Sequence, residues 1–346
     1  MREPLRGQRL DSFGQVDWSA PRSAASVLLL ARLGQERGVG SDVTLAGTGL
    51  TLSGLRVPGA EVTGTQELAV LRNLQAACPD PALPLVAGAR YHLTTYGIWG
   101  FALASSPTVR SALDVGARFV DLSFTFCALA LEEDAEQLSI YLDDAQVPAD
   151  VRPFVVARDL AGLRTIVAEL TQSAVPLRSL AVTLPRPVDV TPWIELFGRE
   201  PEFGAARNRA ALDVAFLALP LPQADELTAA ATEAQCRELV QRRRARSATA
   251  GRVRDVLLTA PASMPSVEVT AAALHVSART LRRRLGAEGT SYRGLVEEVR
   301  EALAEELLRA GLPVEQVSRR LGYAEPASFT HAFTRWKGVS PRAWSR

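Results

Sequence analysis

VSARTLRRRLGAEGTSYRGLVEEVR (residues 276–300) and VEQVSRRLGYAEPASFTHAFTRWKGVSPRAW (residues 314–344) decide the reading of this chain. In the first stretch Ser277 stands where a helix N-cap belongs, and Gly289 stands where a helix stops. Leu281 and Leu285 are four apart and share one buried stripe. Arg279, Arg282 and Arg283 leave that stripe, so a basic face points outward over 278–288. Upstream, Ser266 caps a shorter helix that carries Val267, Ala271 and Leu274, and Val276-Ser277 breaks it. The result is helix, short turn, basic helix. Arginine reads guanine bidentately and also neutralises phosphate, although three arginines alone also fit a solvated basic face.

The same pattern returns. An amphipathic helix over 292–309, with Tyr292, Leu295, Val299, Leu303 and Leu307 inward, ends at Gly311. Pro313 opens the next segment, where Val314, Val317 and Leu321 share a face and Gly322-Tyr323 turns the chain. A second reading helix is expected over 326–337, with Phe329, Phe333 and Trp336 inward and Gly338 as its stop. Two units joined by one stiff helix place two reading helices on one side. Major grooves on one side of B-DNA recur about every 34 Å, so both are expected to enter successive grooves.

Over about 255–346 this arrangement resembles the AraC/XylS family of bacterial transcriptional regulators. The resemblance implies base and phosphate contacts from Arg279, Thr280, Arg282 and Arg283 in the first unit, and from Ala327, Ser328, Thr330, His331 and Arg335 in the second. Three positions depart from the family pattern. His275 occupies a turn position where glycine is usual, which costs strain if that turn needs φ > 0. His331 replaces a usual Arg, and Thr334 a common Lys, so the second unit has less fixed positive charge. The first unit is therefore expected to dominate affinity. The segments YGIWGFALASSPTVRSALDVGARF (96–119) and LFGREPEFGAARNRAALDVAFLALPLPQAD (196–225) resemble the effector domain of an AraC subgroup that includes ornithine-utilisation regulators.

Charge agrees with this division. Residues 237–346 hold 20 basic and 11 acidic side chains, whereas residues 1–236 hold 19 and 27. A basic third on an acidic remainder points to a polyanion partner for the C-terminal part only. Lys337 is the one lysine, so arginine richness by itself says little about phosphate. Cys78, Cys127 and Cys236 are scattered, as are His92, His275 and His331, which argues against a disulfide framework and against a metal site. They read as small buried thiols in a reducing compartment. The first residues, MREPLRGQRLDSFGQ, lack an apolar signal segment, and the longest aliphatic burst, Val27 to Ala31, is too short to span a bilayer.

The expected architecture is α+β: a mixed α/β effector domain followed by an all-α domain with two helix-turn-helix units. Residues 1–23 read as a flexible arm, 24–224 as the regulatory domain, 225–248 as a linker helix that turns basic in QRRRAR (241–246), and 249–346 as the DNA-binding domain. Within the regulatory domain, helices are expected at 24–36, 67–77, 108–119 and 155–170. The Gly/Thr/Ser-rich stretch 38–54 reads as loop, 120–143 as a hairpin beginning at Phe124, and 180–184, Phe203 and 211–216 as strands. Tyr96, Trp99 and Phe101 flank Gly97 and Gly100 and are candidates to line an effector pocket, with core packing as the competing role. Arg199, Arg207 and Arg209 are candidates to pair an effector carboxylate, with plain surface positions as the alternative.

The function this supports is an effector-responsive, sequence-specific DNA-binding regulator in the cytoplasm, associated with the nucleoid. Its expected partners are double-stranded promoter DNA, a small-molecule effector, RNA polymerase and a second copy of the chain, with no membrane and no cofactor. Two other readings compete with it. One is a DNA-binding module fused to an enzyme, against which the sequence shows no G-x-S-x-G, H-E-x-x-H, P-loop or dinucleotide fingerprint. The other is a non-sensing oligomerisation or structural DNA-binding protein.

Overall fold

The computed structural model describes residue 18 and residues 20–344, except for the side chains of 244–247. The chain divides into two compact units, residues 1–241 and 242–346.

Most of the expected N-terminal arm lies outside the described residues, but its end is not an arm. Pro21–Ser23 (β1) pairs antiparallel with Glu61–Thr63 (β2), and the Trp18 ring packs 5.2 Å from that of Phe126. Two separated segments make this strand pair, so no local pattern announced it. Between them run α1 (Ala25–Glu36), α2 (Ser41–Thr44) and α3 (Leu52–Leu55). The last two are single turns inside the stretch expected to be loop, and Thr51 caps α3 with its hydroxyl. α4 (Gly64–Ala77) begins three residues earlier than its apolar spacing indicates, because Thr63 and Gln66 form a reciprocal capping box.

The chain continues through α5 (Leu83–Gly88), α6 (Ile98–Ala104) and α7 (Val109–Arg118). β3 (Ala128–Glu133) and β4 (Gln137–Asp143) form the hairpin, turned by Asp134, whose side chain accepts from the amides of Glu136 and Gln137. The hairpin starts four residues later than the alternation of Phe124 and Phe126 indicates. Those rings are buried, but Asp159 takes hydrogen bonds from the Phe126 amide and the Thr125 hydroxyl and holds the segment outside the ladder. α8 (Arg152–Thr171) follows, then β5 (Leu177–Val182), α9 (Thr191–Phe197), β6 (Glu202–Phe203) and β7 (Asn208–Asp213). β7 stops at Asp213 rather than Phe216, since the Asp213 carboxylate caps a 3₁₀ turn over Val214–Ala218.

The five strands lie in the order β3-β4-β7-β5-β6, antiparallel except for the short β5–β6 contact. α8 packs against α5, and a Cβ at Gly88 would stand 2.3 Å from the Arg158 carbonyl oxygen, so only glycine permits that approach. α10 (Glu226–Ser247) carries Cys236 and Val240 in the N-terminal core.

The second unit is all helix: α11 (Thr249–Thr259), α12 (Val267–Ala273), α13 (Ala278–Ala287), α14 (Tyr292–Arg309), α15 (Val314–Arg320), α16 (Pro326–Lys337) and α17 (Pro341–Trp344). Serine hydroxyls cap α12, α13 and α14. There are two apolar clusters. One gathers Val253, Leu257, Ala271, Leu281, Leu285, Leu295 and Val299, and the other Ala304, Leu308, Val317, Leu321, Phe329 and Phe333. α14 contributes to both, and Leu303 packs against each.

Candidate nucleic-acid interface and effector cavity

α12–turn–α13 and α15–turn–α16 are the two helix-turn-helix units. The first turn passes through His275 at φ 55°, the left-handed conformation that its replacement of glycine makes costly. The second passes through Gly322 at φ 74°. A Cβ there would lie 2.1 Å from the Ala262 carbonyl oxygen, so the second turn seats against the α11–α12 connection only as glycine.

Burial of Leu281 and Leu285 turns Arg279, Arg282, Arg283 and Arg284 to solvent. Arg284 was not singled out in the sequence, although it follows two arginines that were. Arg282 donates to Glu268 at 3.2 Å across the turn. Among the described residues Arg279, Arg283 and Arg284 make no ion pair, so their charge faces outward uncompensated. Thr280 is half-buried and its hydroxyl meets that of Ser277 at 2.9 Å.

The second reading helix differs. Phe329 and Phe333 are buried, Trp336 is half-buried, and Ala327, Ser328, His331 and Arg335 are exposed. Thr330 is half-buried and donates to the Pro326 carbonyl at 2.9 Å. The basic side chains here are already engaged by the acidic face of α14. Arg335 approaches Glu297 at 3.4 Å, and Lys337 bridges Glu301 and Glu305. These hydrogen bonds raise the Lys337 pKa and hold the Glu305 carboxyl below its ordinary value.

The N-terminal unit contains a second candidate site. A cavity of about 60 Å³ lies among Tyr91, Tyr96, Trp99, Phe124, Leu142 and the Arg158–Asp159 pair. A neighbouring one of about 70 Å³ is lined almost wholly by apolar side chains of α6, α7, α8 and the sheet. Trp99, Leu129, Leu163 and Ile166 border both. Beneath the first, Arg158 donates to Asp159 at 2.7 and 2.9 Å, to Glu67 at 3.1 Å and to the Phe124 carbonyl at 2.9 Å. Ser26 bonds both Glu67 and the Tyr91 hydroxyl. Burial pushes the Tyr91 hydroxyl up to about 12 and raises that of Tyr96 well above its ordinary value. Burial opposes the charge on Arg158, but Asp159, Tyr91 and Glu67 outweigh it and raise the guanidinium pKa.

The structure brings Tyr96 and Trp99 together at this cavity, with ring centroids 5.0 Å apart. It does not bring the other four effector candidates there. Phe101, on the opposite side of α6, is 59% exposed. Arg199 donates to the Leu177 carbonyl at 2.6 Å, and Arg207 lies over the Tyr141 ring at 4.3 Å. Arg209 donates to Ser179. The buried Glu67–Arg158 pair went unread because its members stand 91 residues apart. The one local trace was an Arg-Asp pair inside the otherwise apolar run FVVARDLAGL.

Comparison with known proteins covers both units. Residues 38–221 match the family described as the arabinose-binding domain of AraC transcription regulator, N-terminal, and residues 270–346 match a helix-turn-helix domain family. An uncharacterised HTH-type transcriptional regulator of Mycobacterium tuberculosis is 39% identical over 92% of this chain and 94% of its own. The ornithine utilization regulator of Pseudomonas aeruginosa is 30% identical over 78% of this chain and 80% of its own. The regulator VqsM of the same organism is 47% identical over 81 residues, 23% of this chain and 25% of its own. With both of its parts matched, in this order, the chain belongs to the AraC family of HTH-type transcriptional regulators.

Proposed function

We propose that this regulator reads promoter DNA with α13 and α16 in successive major grooves and that a small molecule bound in the N-terminal unit controls the reading. The observation that carries the DNA half is the asymmetry between the two helices. Arg279 and Arg283 present uncompensated charge, whereas Arg335 and Lys337 are neutralised by α14. α13 thus supplies the salt-dependent affinity and the guanine readout, and α16 sets register through Ala327, Ser328, Thr330 and His331. A second copy of the chain on a paired half-site and a contact to RNA polymerase complete the proposal, in the cytoplasm at the nucleoid.

The N-terminal unit acts as a sensor rather than as an enzyme. Burial raises the thiol pKa of Cys127 and, to about 11, that of Cys236, which keeps both protonated and unreactive. No helix among the described residues is long and apolar enough to cross a membrane.

The test is affinity selection of fragmented genomic DNA on the full-length chain, with a salt titration on whatever is enriched. A recovered site with two blocks about one helical turn apart, and steep salt dependence, supports the reading. Absence of any enriched sequence overturns it.

A further inference from the structure

We propose that the paired cavities of the N-terminal unit take one uncharged, elongated, mostly apolar molecule that carries a single carbonyl or hydroxyl acceptor, and that the indole N–H of Trp99 donates to it. This rests on the reading of that unit as a sensor.

Three observations converge. The first is shape. The two cavities share the wall formed by Trp99, Leu129, Leu163 and Ile166. At roughly 10–15 Å³ of such space per atom-sized sphere, the two together hold about ten non-hydrogen atoms. A molecule of that size occupies both only if it is extended, and the second cavity offers it hardly any polar surface.

The second is an unmet donor. Trp99 is 6% exposed, and its Nε1 is buried without a hydrogen-bond partner. A buried indole N–H ordinarily finds an acceptor, and leaving one unpaired is costly. This donor belongs to a ring that borders both cavities. No acceptor from the described residues reaches it.

The third is charge. The ions around the floor of the first cavity are paired among themselves, with Arg22 Nε standing 3.5 Å from Glu67 Oε2. Arg158 is held by Asp159 and Glu67, and the second Asp159 oxygen takes Thr125 and the Phe126 amide. An anionic head group would meet the Asp159 carboxylate, and a cationic one the Arg158 guanidinium. Neither finds a free counter-ion, so a neutral acceptor fits the site best.

Gly116 on α7 borders the apolar cavity and gives a way to fill it. A Cβ there lies 3.5 Å from Leu103 Cδ2 and 3.8 Å from Trp99 Cζ2, ordinary contact distances. Gly116→Leu occupies the ligand's space while favouring the helix. Trp99→Phe removes the N–H together with part of the indole, so butylbenzene, which has no acceptor, reports the effect of the lost ring alone.

The experiment is calorimetric titration and thermal melting of the full-length chain with butyrophenone, butylbenzene and 4-phenylbutanoate. Butyrophenone is expected to bind tightest and to raise the melting temperature. Trp99→Phe should weaken butyrophenone about five- to tenfold relative to its effect on butylbenzene, while Gly116→Leu, still folded, should bind neither. The proposal is overturned if butylbenzene or the carboxylate binds as well as the ketone, if Gly116→Leu binds like the parent chain, or if none of the three binds. Genomic selection on the same preparation reports separately on DNA reading, so failure here leaves that result standing.

Discussion

Glu288, just past the end of α13, accepts hydrogen bonds at 2.8 Å from the backbone nitrogens of both Thr249 and Ala250 at the start of α11. One carboxylate therefore caps one helix from the foot of the reading helix. Burial pushes its pKa up, but the hydrogen bonds from Thr249 and Ala250 outweigh this and leave it below the ordinary value.

That sign fixes a pH dependence. A group whose folded pKa is lowered stabilises the fold fully above its unfolded value and loses the effect as pH falls through the folded one. Glu288→Gln should cost about 0.5–1 kcal/mol at neutral pH. The difference from the parent chain should shrink below about pH 4. Urea unfolding of both chains across that range is the check.

The two turns predict opposite responses. Gly322→Ala forces a Cβ against the Ala262 carbonyl at a left-handed position and should destabilise the C-terminal unit by more than about 2 kcal/mol. Gly311→Ala, equally left-handed at φ 80° but in open space, should cost only about 1 kcal/mol. His275→Gly relieves strain and should stabilise by about 0.5–1 kcal/mol, net of glycine's own entropy. Amide exchange within α11–α17 under urea measures all three.

DNA affinity should divide unequally. Arg283→Ala is expected to weaken binding to the selected site about tenfold and to lower the salt slope by about 1. His331→Ala should do less on both counts. A larger loss from His331→Ala would show that α16, not α13, dominates.

Glu67 is fully buried and pairs with the buried Arg158. Glu67→Ala leaves Arg158 paired with Asp159 but takes the acceptor from one buried guanidinium N–H and from the Ser26 hydroxyl, and should cost about 1–3 kcal/mol, visible as a lower melting temperature of the full chain.

What could be read from residue order alone follows from range. The serine caps, the Leu281/Leu285 stripe and the glycine stops of the C-terminal unit depend on neighbours within a few residues, and both helix-turn-helix units were legible for that reason. His275 is the sharpest case, because the departure from glycine pointed to the φ that the backbone adopts. The N-terminal unit was legible as helices and strands but not as a site. Phe101 and Trp99 are two residues apart, yet the turn of α6 sends one to solvent and one to the cavity wall. Phe124 and Phe126 alternate like a strand while Asp159, 33 residues downstream of Phe126, holds them out of it. Arg199 and Arg207 spend their charge on a carbonyl and a ring.

The shared helix α14 has a consequence for operator tolerance. Each apolar cluster of the C-terminal unit is too small to stand alone, and Leu303 belongs to both, so neither half melts without the other. Where α13 and α16 each read one block, as proposed above, a promoter with one degraded block forfeits only the contacts of that block. The idle reading helix keeps its form, held ready by its twin, and drift in half of a binding site weakens control by degrees without abolishing it.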